Sequence, residues 1–367
     1  TQGLLEAGHD VQLLSIATEK HPDRRGELFS DYLKATSFDS VFLDTRVRII
    51  PAALNLLTRD SYNITRFNSD DFRRKLISTL QSKKFDIVQL EGLPTLNYLS
   101  DVRLYSQAKI VYRAHNVEHR LWKRVAAGAT GLKKIYLELL TRRLEMYERQ
   151  QLNVADGIAV ITDGDAIQLR EMGCTLPILH LPFAVPLERA TQQPPNNVFF
   201  HIGAMDWEPN LEAMRFLTTQ IWPIIREQCP GALLRLAGRK MPDSFQSGNG
   251  IMVDGEVPDA YAYMRENGIL LTPLLSGGGM RIKLIEAMAL GRAVVSTSVG
   301  IEGIPAENGK HAAIADSAET FAAAAIRMHD EAELRKRTGK AARQLVIENF
   351  DRTYATERLV RFYQSVA

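Results

Sequence analysis

The sequence predicts an α/β protein made of two doubly wound domains, each built on a parallel sheet. Short apolar segments alternate with helical segments along the chain, which is typical of parallel sheets. At 367 residues the chain is also too long for one ordinary core. A polar, proline-bearing stretch at residues 186–197 separates two such alternating series and is the best linker in the sequence.

The first series gives the N-terminal domain, residues 1–185. Its predicted strands are residues 11–16, 47–51, 86–90, 110–114, 157–162 and 178–182. Its predicted helices are residues 70–82, 117–127, 132–153 and 163–172. Residues 18–45 and 52–68 are expected to be irregular or to hold short elements. Because the chain opens on the tail of a helix, we expect a first strand and its loop to precede residue 1.

The second series gives the C-terminal domain, residues 198–350, and residues 351–367 follow it as a final helix. The predicted strands are residues 198–202, 233–237, 251–253, 269–275, 293–297 and 312–315. The predicted helices are residues 210–228, 259–266, 280–290, 318–329, 331–348 and 353–365.

Composition and charge narrow the class of protein. Hydrophobic residues make up 45% and charged residues 24%, as in ordinary soluble globular proteins. The net charge of +2 argues against a nucleic-acid partner. Two isolated cysteines, Cys174 and Cys229, suit a reducing cytosol and no cysteine-rich zinc cluster. Without a signal peptide or an apolar run of ~18 residues, the predicted location is cytoplasmic.

Residues 268–303 carry the most informative pattern: strand, glycine loop, helix, strand. Glycines between a strand and a helix let the backbone approach a ligand, and the helix N-terminus offers N–H groups to an anion. The helix is apolar nearly all round, yet it carries Arg281, Lys283 and Glu286. A phosphate held by the two cations, with sugar hydroxyls on Glu286, explains this set. A buried ion pair between Lys283 and Glu286 is the alternative.

These residues lie in GGGMRIKLIEAMALGRAVVSTSVGIEG, which resembles the donor-binding segment of retaining GT-B glycosyltransferases of family four. The likeness extends to FFHIGAMDWEPNLEAMRFL, IWP, LLRLAGR and GEVPDAYAYM in the second half, and to VQLEGLPT, YRAHNVEHRLWKR and ADGIAVITDGD in the first. It covers most of the chain from Asp86 onward.

The resemblance implies two Rossmann-like domains that face a central cleft. The C-terminal domain would bind a nucleotide-diphosphate sugar, the N-terminal domain would bind the acceptor, and the final helix would pack back on the N-terminal domain. No cofactor or metal is expected, because basic side chains and backbone amides would stabilise the departing diphosphate.

The predicted site has two groups of residues on the donor side. The donor-binding residues are Gly277, Gly278, Gly279, Met280, Glu286, Arg239, Glu256 and Val257, and the catalytic residues are Arg281 and Lys283, together with His115. Arg281 and Lys283 would hold the diphosphate, with Arg239 as a third candidate, and Glu286 would bind the ribose hydroxyls. The backbone near Glu256 and Val257 would meet the base; ordinary loop packing is the alternative for Val257.

Two positions depart from the family pattern. Gly278 stands where relatives carry a glutamate that contacts the donor sugar. The segment GAMDWEPN stands where relatives often carry an arginine and a lysine for the diphosphate. Both departures affect the geometry around the sugar and leave the nucleotide site in place.

Candidate acceptor-side residues follow two strands of the first half. His115 follows the strand at residues 110–114, and the resemblance implies that it reaches the donor sugar and the acceptor. Asn116 and Glu118 are acceptor-side candidates, although both also suit the start of a helix, Asn116 as its N-cap. Glu91 is a candidate for binding acceptor hydroxyls, or else a solvated loop carboxylate.

Residues 113–149 hold nine Lys or Arg and four Glu, with Trp122 and Tyr136 between them. Such a basic, aromatic helix pair could rest on an anionic membrane surface and meet a lipid-linked acceptor. A solvated face with ion pairs is the favoured alternative.

The sequence therefore predicts a retaining, metal-independent glycosyltransferase that acts on a glycan or lipid-linked acceptor, of the kind that builds cell-surface polysaccharide. Two other functions stay open. One is a nucleotide-sugar epimerase of the same fold, which would need more cleft carboxylates and histidines than this chain offers. The other is a nucleotide- or sugar-binding protein without catalysis.

Overall fold

The structure, a computed structural model, describes residues 1–23, 25–27, 29–46, 55, 58, 60–185, 187, 197–277 and 279–367. Its contacts divide the chain into two compact units. The first unit holds residues 1–182 and 353–367, and the second holds residues 183–352. The predicted linker lies almost entirely outside the described residues, as do the predicted strand at 47–51 and Gly278.

The strands of the described residues are numbered in chain order. They are β1 (Leu14–Ala17), β2 (Asp39–Phe42), β3 (Ile87–Glu91), β4 (Lys109–Ala114), β5 (Gly157–Val160), β6 (Ile178–His180), β7 (Phe199–Ile202), β8 (Leu234–Ala237), β9 (Ile251–Gly255), β10 (Ile269–Thr272), β11 (Ala293–Ser296) and β12 (Ala313–Ile314).

The α-helices are numbered in the same way. They are α1 (Gln2–Glu6), α2 (Ser30–Ala35), α3 (Tyr62–Thr65), α4 (Asp70–Ser82), α5 (Leu99–Tyr105), α6 (Glu118–Ala127), α7 (Gly131–Gln151), α8 (Asp163–Glu171), α9 (Glu208–Phe216), α10 (Trp222–Gln228), α11 (Ala260–Glu266), α12 (Ile282–Ala289), α13 (Ala318–Asp330), α14 (Ala332–Phe350) and α15 (Arg352–Val366). Short 3-10 turns lie at Arg25–Glu27 and Leu93–Tyr98.

The first unit contains a four-stranded parallel sheet of order β3-β4-β5-β6 and a parallel pair, β1-β2. Helix α4 shows how the sequence builds this unit. The Ser69 side chain caps its N-terminus by accepting from the backbone N–H of Phe72, and Phe72, Leu76 and Leu80 recur at helical spacing and are buried. The one-sided apolar stripe therefore places α4 against the sheet's core.

Helix α15 belongs to the first unit and covers one face of its sheet. Phe362 packs against Val111 of β4 and Ala159 of β5. At Gly157 a Cβ atom would come within 2.7 Å of the Phe362 ring, so the glycine leaves the space that the ring fills.

The second unit contains one six-stranded parallel sheet of order β12-β11-β10-β7-β8-β9. Successive residues of its central strands enter cores on opposite faces: Phe199 and Ile269 on one, Phe200 and Leu270 on the other. The chain builds outward from β7 in one direction and from β10 in the other, so the topological switch point lies between these two strands.

The fold class and its parallel sheets are confirmed, with differences in single elements. The structure adds β2, the turn Leu93–Tyr98 and helix α5, none of which was predicted. The predicted helix at 210–228 is confirmed as a continuous helical segment, in which a π-helical turn at Leu217–Ile221 joins α9 to α10. The predicted helix at 280–290 begins at Ile282 because Arg281 has extended backbone.

Candidate functional site

The first candidate cluster lies in the second unit, at the C-terminal ends of β7 and β10. Ligands of open α/β sheets bind at this edge of a topological switch point. Close backbone packing shapes the edge. A Cβ atom on Gly238 would lie 1.8 Å from the Gly203 carbonyl oxygen, and one on Gly203 would lie 2.9 Å from the Asn210 amide. Only glycines fit these two positions.

Lys283 reaches from α12 to the end of β7. Its Nζ donates to the Ile202 carbonyl oxygen at 2.8 Å and to Asn210 Oδ1 at 3.1 Å. Burial, with Arg281 as a smaller cause, lowers the pKa of Lys283 to about 7. Lys283 therefore does not pair with Glu286, and the buried ion pair that the sequence left open is wrong.

Arg281 is the second cation of this cluster and is more deeply buried than Lys283. Only 7% of it is exposed, and its guanidinium lies 5.0 Å from the centroid of the Trp207 ring. Its Nη1 donates to the Gly279 carbonyl oxygen at 2.8 Å. Gly277 has φ +105°, and a Cβ there would lie 2.9 Å from Arg281 Nη2. Gly277 and Gly279 therefore both lie against the guanidinium.

Glu286 lies one helical turn beyond Lys283 and is partly buried. Burial raises its pKa. Among the described residues it has no hydrogen-bond or ion-pair partner. A half-buried carboxyl group without a partner is an acceptor ready for ligand hydroxyl groups.

The remaining predicted donor residues have other surroundings. Arg239 forms an ion pair with Asp206, with 3.1 Å between Nη2 and Oδ2. The Asp206 carboxylate therefore partly balances the positive charge of Arg239. Glu256 is exposed, and Val257 is partly buried against the core, as its packing alternative supposed. Met280 also packs on that core, and Gly279 is exposed.

Sequence reasoning missed two members of this cluster, Asn210 and His201. Asn210 was assigned only to a helix, although it holds Lys283. His201 lies on β7, fully buried, with Nδ1 2.8 Å from the Leu271 carbonyl oxygen. Burial, and then the charge of Lys283, lowers its pKa to about 3, so the ring is neutral. A polar residue inside the apolar run FFHI was the available signal.

The second candidate cluster lies in the first unit, at the C-terminal ends of β3 and β4. His115 Nε2 lies 2.7 Å from Glu91 Oε2, and Arg113 Nε lies 3.9 Å from the same oxygen. Burial acts to raise the pKa of Glu91, but the hydrogen bond with His115 and the charge of Arg113 leave it below its usual value. The sequence named His115 and Glu91 separately, and the structure brings them together.

Glu118 is the first residue of α6, as expected, whereas Asn116 precedes the helix without capping it. The N-cap is Val117, without a side-chain cap, so Asn116 as N-cap is wrong. Glu148 of α7 caps the helix instead: its carboxylate accepts from the backbone N–H of Glu118 at 2.9 Å and of His119 at 3.2 Å. Burial and the nearby Glu148 raise the pKa of Glu118.

Glu148 is a buried carboxylate that sequence reasoning counted only as a charge. It is 3% exposed, and its Oε2 lies 2.6 Å from His119 Nδ1. Its position was readable, because Leu140, Leu144 and Glu148 recur at four-residue spacing on the buried face of α7.

The basic segment at residues 113–149 carries exposed apolar residues that the sequence did not single out. Leu132 is 85% and Ile135 65% exposed at the start of α7, and Leu121 and Val125 are exposed on α6. Trp122 is partly buried and packs against the core of the first unit, so it does not add to this exposed surface.

One group of described residues has the spacing of a metal site: Cys229, His329 and Asp330. His329 is already engaged at both ring nitrogens, with Asp330 at 2.6 Å and with Asn197 at 2.7 Å. The group follows α10 and ends α13, at the opposite sheet edge from Lys283. Within the described chain, no helix is both long and apolar enough to span a membrane.

The chain is similar in sequence to known proteins. Residues 196–331 match the family described as glycosyl transferases group 1. The chain is 25% identical over 363 residues to an uncharacterized 44.6 kDa protein in the cps region of Klebsiella pneumoniae, and the match covers 95% of this chain and 89% of that protein.

Solved structures show the same fold. Sucrose-phosphate synthase from Thermosynechococcus elongatus has a TM-score of 0.67 at 15% identity, over 99% of this chain and 90% of that chain. TarM of S. aureus, in complex with fondaparinux, alpha-GlcNAc-glycerol and UDP, has a TM-score of 0.60 at 14% identity. That match covers 80% of this chain, which spans 59% of the TarM chain.

Proposed function

We propose that this chain, a GT-B glycosyltransferase of group 1, moves a sugar from a nucleotide-diphosphate sugar to a glycan or lipid-linked acceptor with retention of configuration. One observation carries the donor half of the proposal. Two cations lie at the switch-point edge of the second unit, Arg281 buried and Lys283 partly buried, with the unpartnered Glu286 on the same helix as Lys283.

The two cations suit a departing diphosphate. Negative charge grows on the diphosphate as the bond to the sugar breaks, and cations kept away from bulk water stabilise such charge strongly. An anion near Lys283 favours its protonated form, which counters the effect of burial. Positive charge for the leaving group thus comes from these side chains, without a metal ion as a requirement.

Glu286 suits the nucleoside. As an acceptor without a partner, it would take hydrogen bonds from two ribose hydroxyl groups. The glycine loop at 277–279 and its backbone N–H groups would lie along the diphosphate.

His115 and Glu91 suit the sugar and the acceptor. Their side chains are 44% and 50% exposed, so a ligand can reach them. We assign no protein nucleophile: the leaving phosphate would take the acceptor's proton while the sugar transfers on one face. The relative in a cps region supports a cell-surface polysaccharide as the product.

Calorimetry with UDP tests the donor site, since TarM was solved with UDP. We expect Glu286→Ala to weaken UDP binding by about tenfold, the effect of lost hydrogen bonds to a charged group. Glu227→Ala, which removes an exposed carboxylate of α10, is the matched control and should bind as the unchanged protein does. Equal UDP affinity of Glu286→Ala and Glu227→Ala would mean that the nucleotide does not contact Glu286.

Labelled UDP-sugars test the reaction. A transferase passes the label to an added glycan acceptor, and its anomeric configuration in the product reports retention. Epimer formation without any acceptor would overturn the transferase in favour of an epimerase.

The acceptor's location is a further part of the proposal. Exposed Leu132 and Ile135, flanked by Lys133 and Lys134, combine apolar and basic groups as an anionic membrane surface requires. We expect the protein to co-sediment with vesicles of phosphatidylcholine and phosphatidylserine and not with phosphatidylcholine alone. Replacing Leu132 and Ile135 by Ser should reduce co-sedimentation.

Leu104→Ser is the matched control for the vesicle experiment. Leu104 is 73% exposed on α5, outside the basic segment, so its loss should leave vesicle binding unchanged. Absence of co-sedimentation with the vesicles that contain phosphatidylserine would remove the membrane from the proposal.

A further inference from the structure

A chain of hydrogen bonds links α15 to His115 within the first unit. Tyr363 Oη donates to Gln89 Oε1 at 2.5 Å, and Gln89 Nε2 donates to Glu91 Oε1. The other carboxylate oxygen of Glu91 lies 2.7 Å from His115 Nε2. His115 thus contacts the Glu91 carboxylate directly, and Tyr363 contacts it through the Gln89 amide.

Strand geometry explains why these groups meet. Gln89 and Glu91 are two residues apart on β3, so their side chains project from the same face of the sheet. Helix α15 covers that face, and Tyr363 packs there beside Phe362. The contact between the last helix and the strand end is therefore a product of the fold.

Each bond fixes the next. A phenol that donates to Gln89 Oε1 orients the amide, so that its Nε2 must face Glu91. Burial, and then the charge of Glu91, raises the pKa of Tyr363, which keeps the phenol protonated. The carboxylate in turn only accepts, so it requires a proton on His115 Nε2.

The charged groups around Glu91 are few. Arg113, across the β3–β4 ladder, approaches the same carboxylate oxygen as His115 and also donates to the Leu181 carbonyl oxygen. Glu118 lies near enough for His115 to influence its charge. With Nε2 of His115 turned to Glu91, Nδ1 is its nitrogen without a partner among the described residues.

We propose that Gln89 and Tyr363 are positioning residues, which act through Glu91 to hold His115 as the Nε2–H tautomer with Nδ1 directed to the ligand. The role of His115 in sugar transfer rests on the proposed function, whereas the hydrogen bonds from Tyr363 to His115 do not depend on it. Helix α15 thereby contributes a positioning residue to the candidate site of the first unit.

Nitrogen NMR of the histidine rings tests the tautomer without any substrate. In alkaline buffer, long-range 1H–15N spectra should show His115 as a single Nε2–H tautomer, with its signal assigned by its loss in His115→Gln. Tyr363→Phe and Gln89→Leu should each give a mixture of tautomers. An unchanged tautomer in both variants would overturn the proposal, whether or not the chain is a transferase.

Transfer from a UDP-sugar supplies the second readout. We expect Tyr363→Phe to lower turnover by about two- to tenfold, as loss of one hydrogen bond of ordinary net strength would. UDP affinity should stay unchanged. The double variant Tyr363→Phe/Gln89→Leu should be no slower than Gln89→Leu alone, because the two residues act in series.

Tyr354→Phe is the matched control on the same helix, since Tyr354 is half exposed. It should keep both the tautomer and the turnover. Additive losses in the double variant, or an equal loss in Tyr354→Phe, would show a general effect of α15 on folding and would contradict the relay.

Discussion

The cations of the second unit and the His115–Glu91 pair of the first unit differ in their contact with water. Arg281 is 7% exposed, whereas the His115 and Glu91 side chains are 44% and 50% exposed. Charges act strongly where water is excluded and weakly where it is not. The buried cluster can therefore work through charge, while the exposed pair depends on orientation, which its hydrogen bonds supply.

Removal of the Lys283 amine should have the largest effect. Lys283→Ala deletes a partly buried cation and leaves Asn210 Oδ1 without its donor. We expect UDP binding to lose about 2–5 kcal/mol, the range for truncating a buried charged partner. Calorimetry measures it against Lys340→Ala, an exposed lysine of α14 with the same change of charge. Similar losses in both variants would mean that burial of Lys283 has no special role.

Neutralising the exposed pair should separate transfer from donor binding. Glu91→Gln removes the charge that faces His115, and hydrogen bonds to charged groups are worth about 1.5–3 kcal/mol. We expect transfer from a UDP-sugar to fall by about 10- to 100-fold with UDP affinity unchanged. Glu171→Gln, at the exposed end of α8, should transfer normally. A parallel loss of UDP affinity would contradict the division of labour.

Backbone packing around the buried cluster should also be sensitive. Gly238→Ala would place a Cβ atom 1.8 Å from the Gly203 carbonyl oxygen. We expect about 1–3 kcal/mol less stability, the usual cost of overpacking, measured by denaturant unfolding. Gly231→Ala is the control in the same unit, because no atom lies within 4 Å of its new Cβ. A neutral Gly238→Ala would show that the two loops can separate freely.

A rise in pH should change the stability of the protein and its affinity for the donor in opposite directions, because both depend on the charge of Lys283. The folded-state pKa of Lys283 is lowered from 10.5 to about 7, so the unfolded chain binds more protons between these values. Stability should therefore rise with pH from about 7 to about 10.5.

Affinity for an anionic donor should instead fall above pH 7, by at most about tenfold per pH unit, as Lys283 loses its proton. Calorimetry with a UDP-sugar suits this measurement, because its esterified diphosphate keeps its charge over this range. The trend should vanish in Lys283→Ala. Affinity that does not vary with pH in the unchanged protein would show that Lys283 stays charged.

The sequence predicted the fold better at long, periodic elements than at short ones. The helix at Asp70–Ser82 was predicted with its observed bounds, because Ser69 and the stripe of Phe72, Leu76 and Leu80 mark it. Strand β2 was missed because DSVF has too few apolar residues to show a period. The turn at Leu93–Tyr98, which follows Gly92 and contains Pro94, lies in a stretch for which the sequence predicted no element.

The sequence identified single candidate residues more readily than the contacts between them. Strand ends in a parallel sheet meet at one edge, which is why Glu91, His115 and Lys283 could be named from their positions. Their partners are tertiary: Asn210 lies 73 residues from Lys283, and Tyr363 lies 274 residues from Gln89. No local sequence pattern predicts a contact between residues so far apart in the chain. The functional roles of the named residues stay predictions.

Trp207 gives the buried cluster an optical property. The chain has three tryptophans, and Trp207 is the one whose ring lies beneath the Arg281 guanidinium. Trp122 packs against the core of the first unit, and Trp222 packs beside Phe199 in the second. A diphosphate that drew the guanidinium away would change the electric field on the Trp207 indole. The emission spectrum of the unlabelled protein would then report binding of the proposed donor.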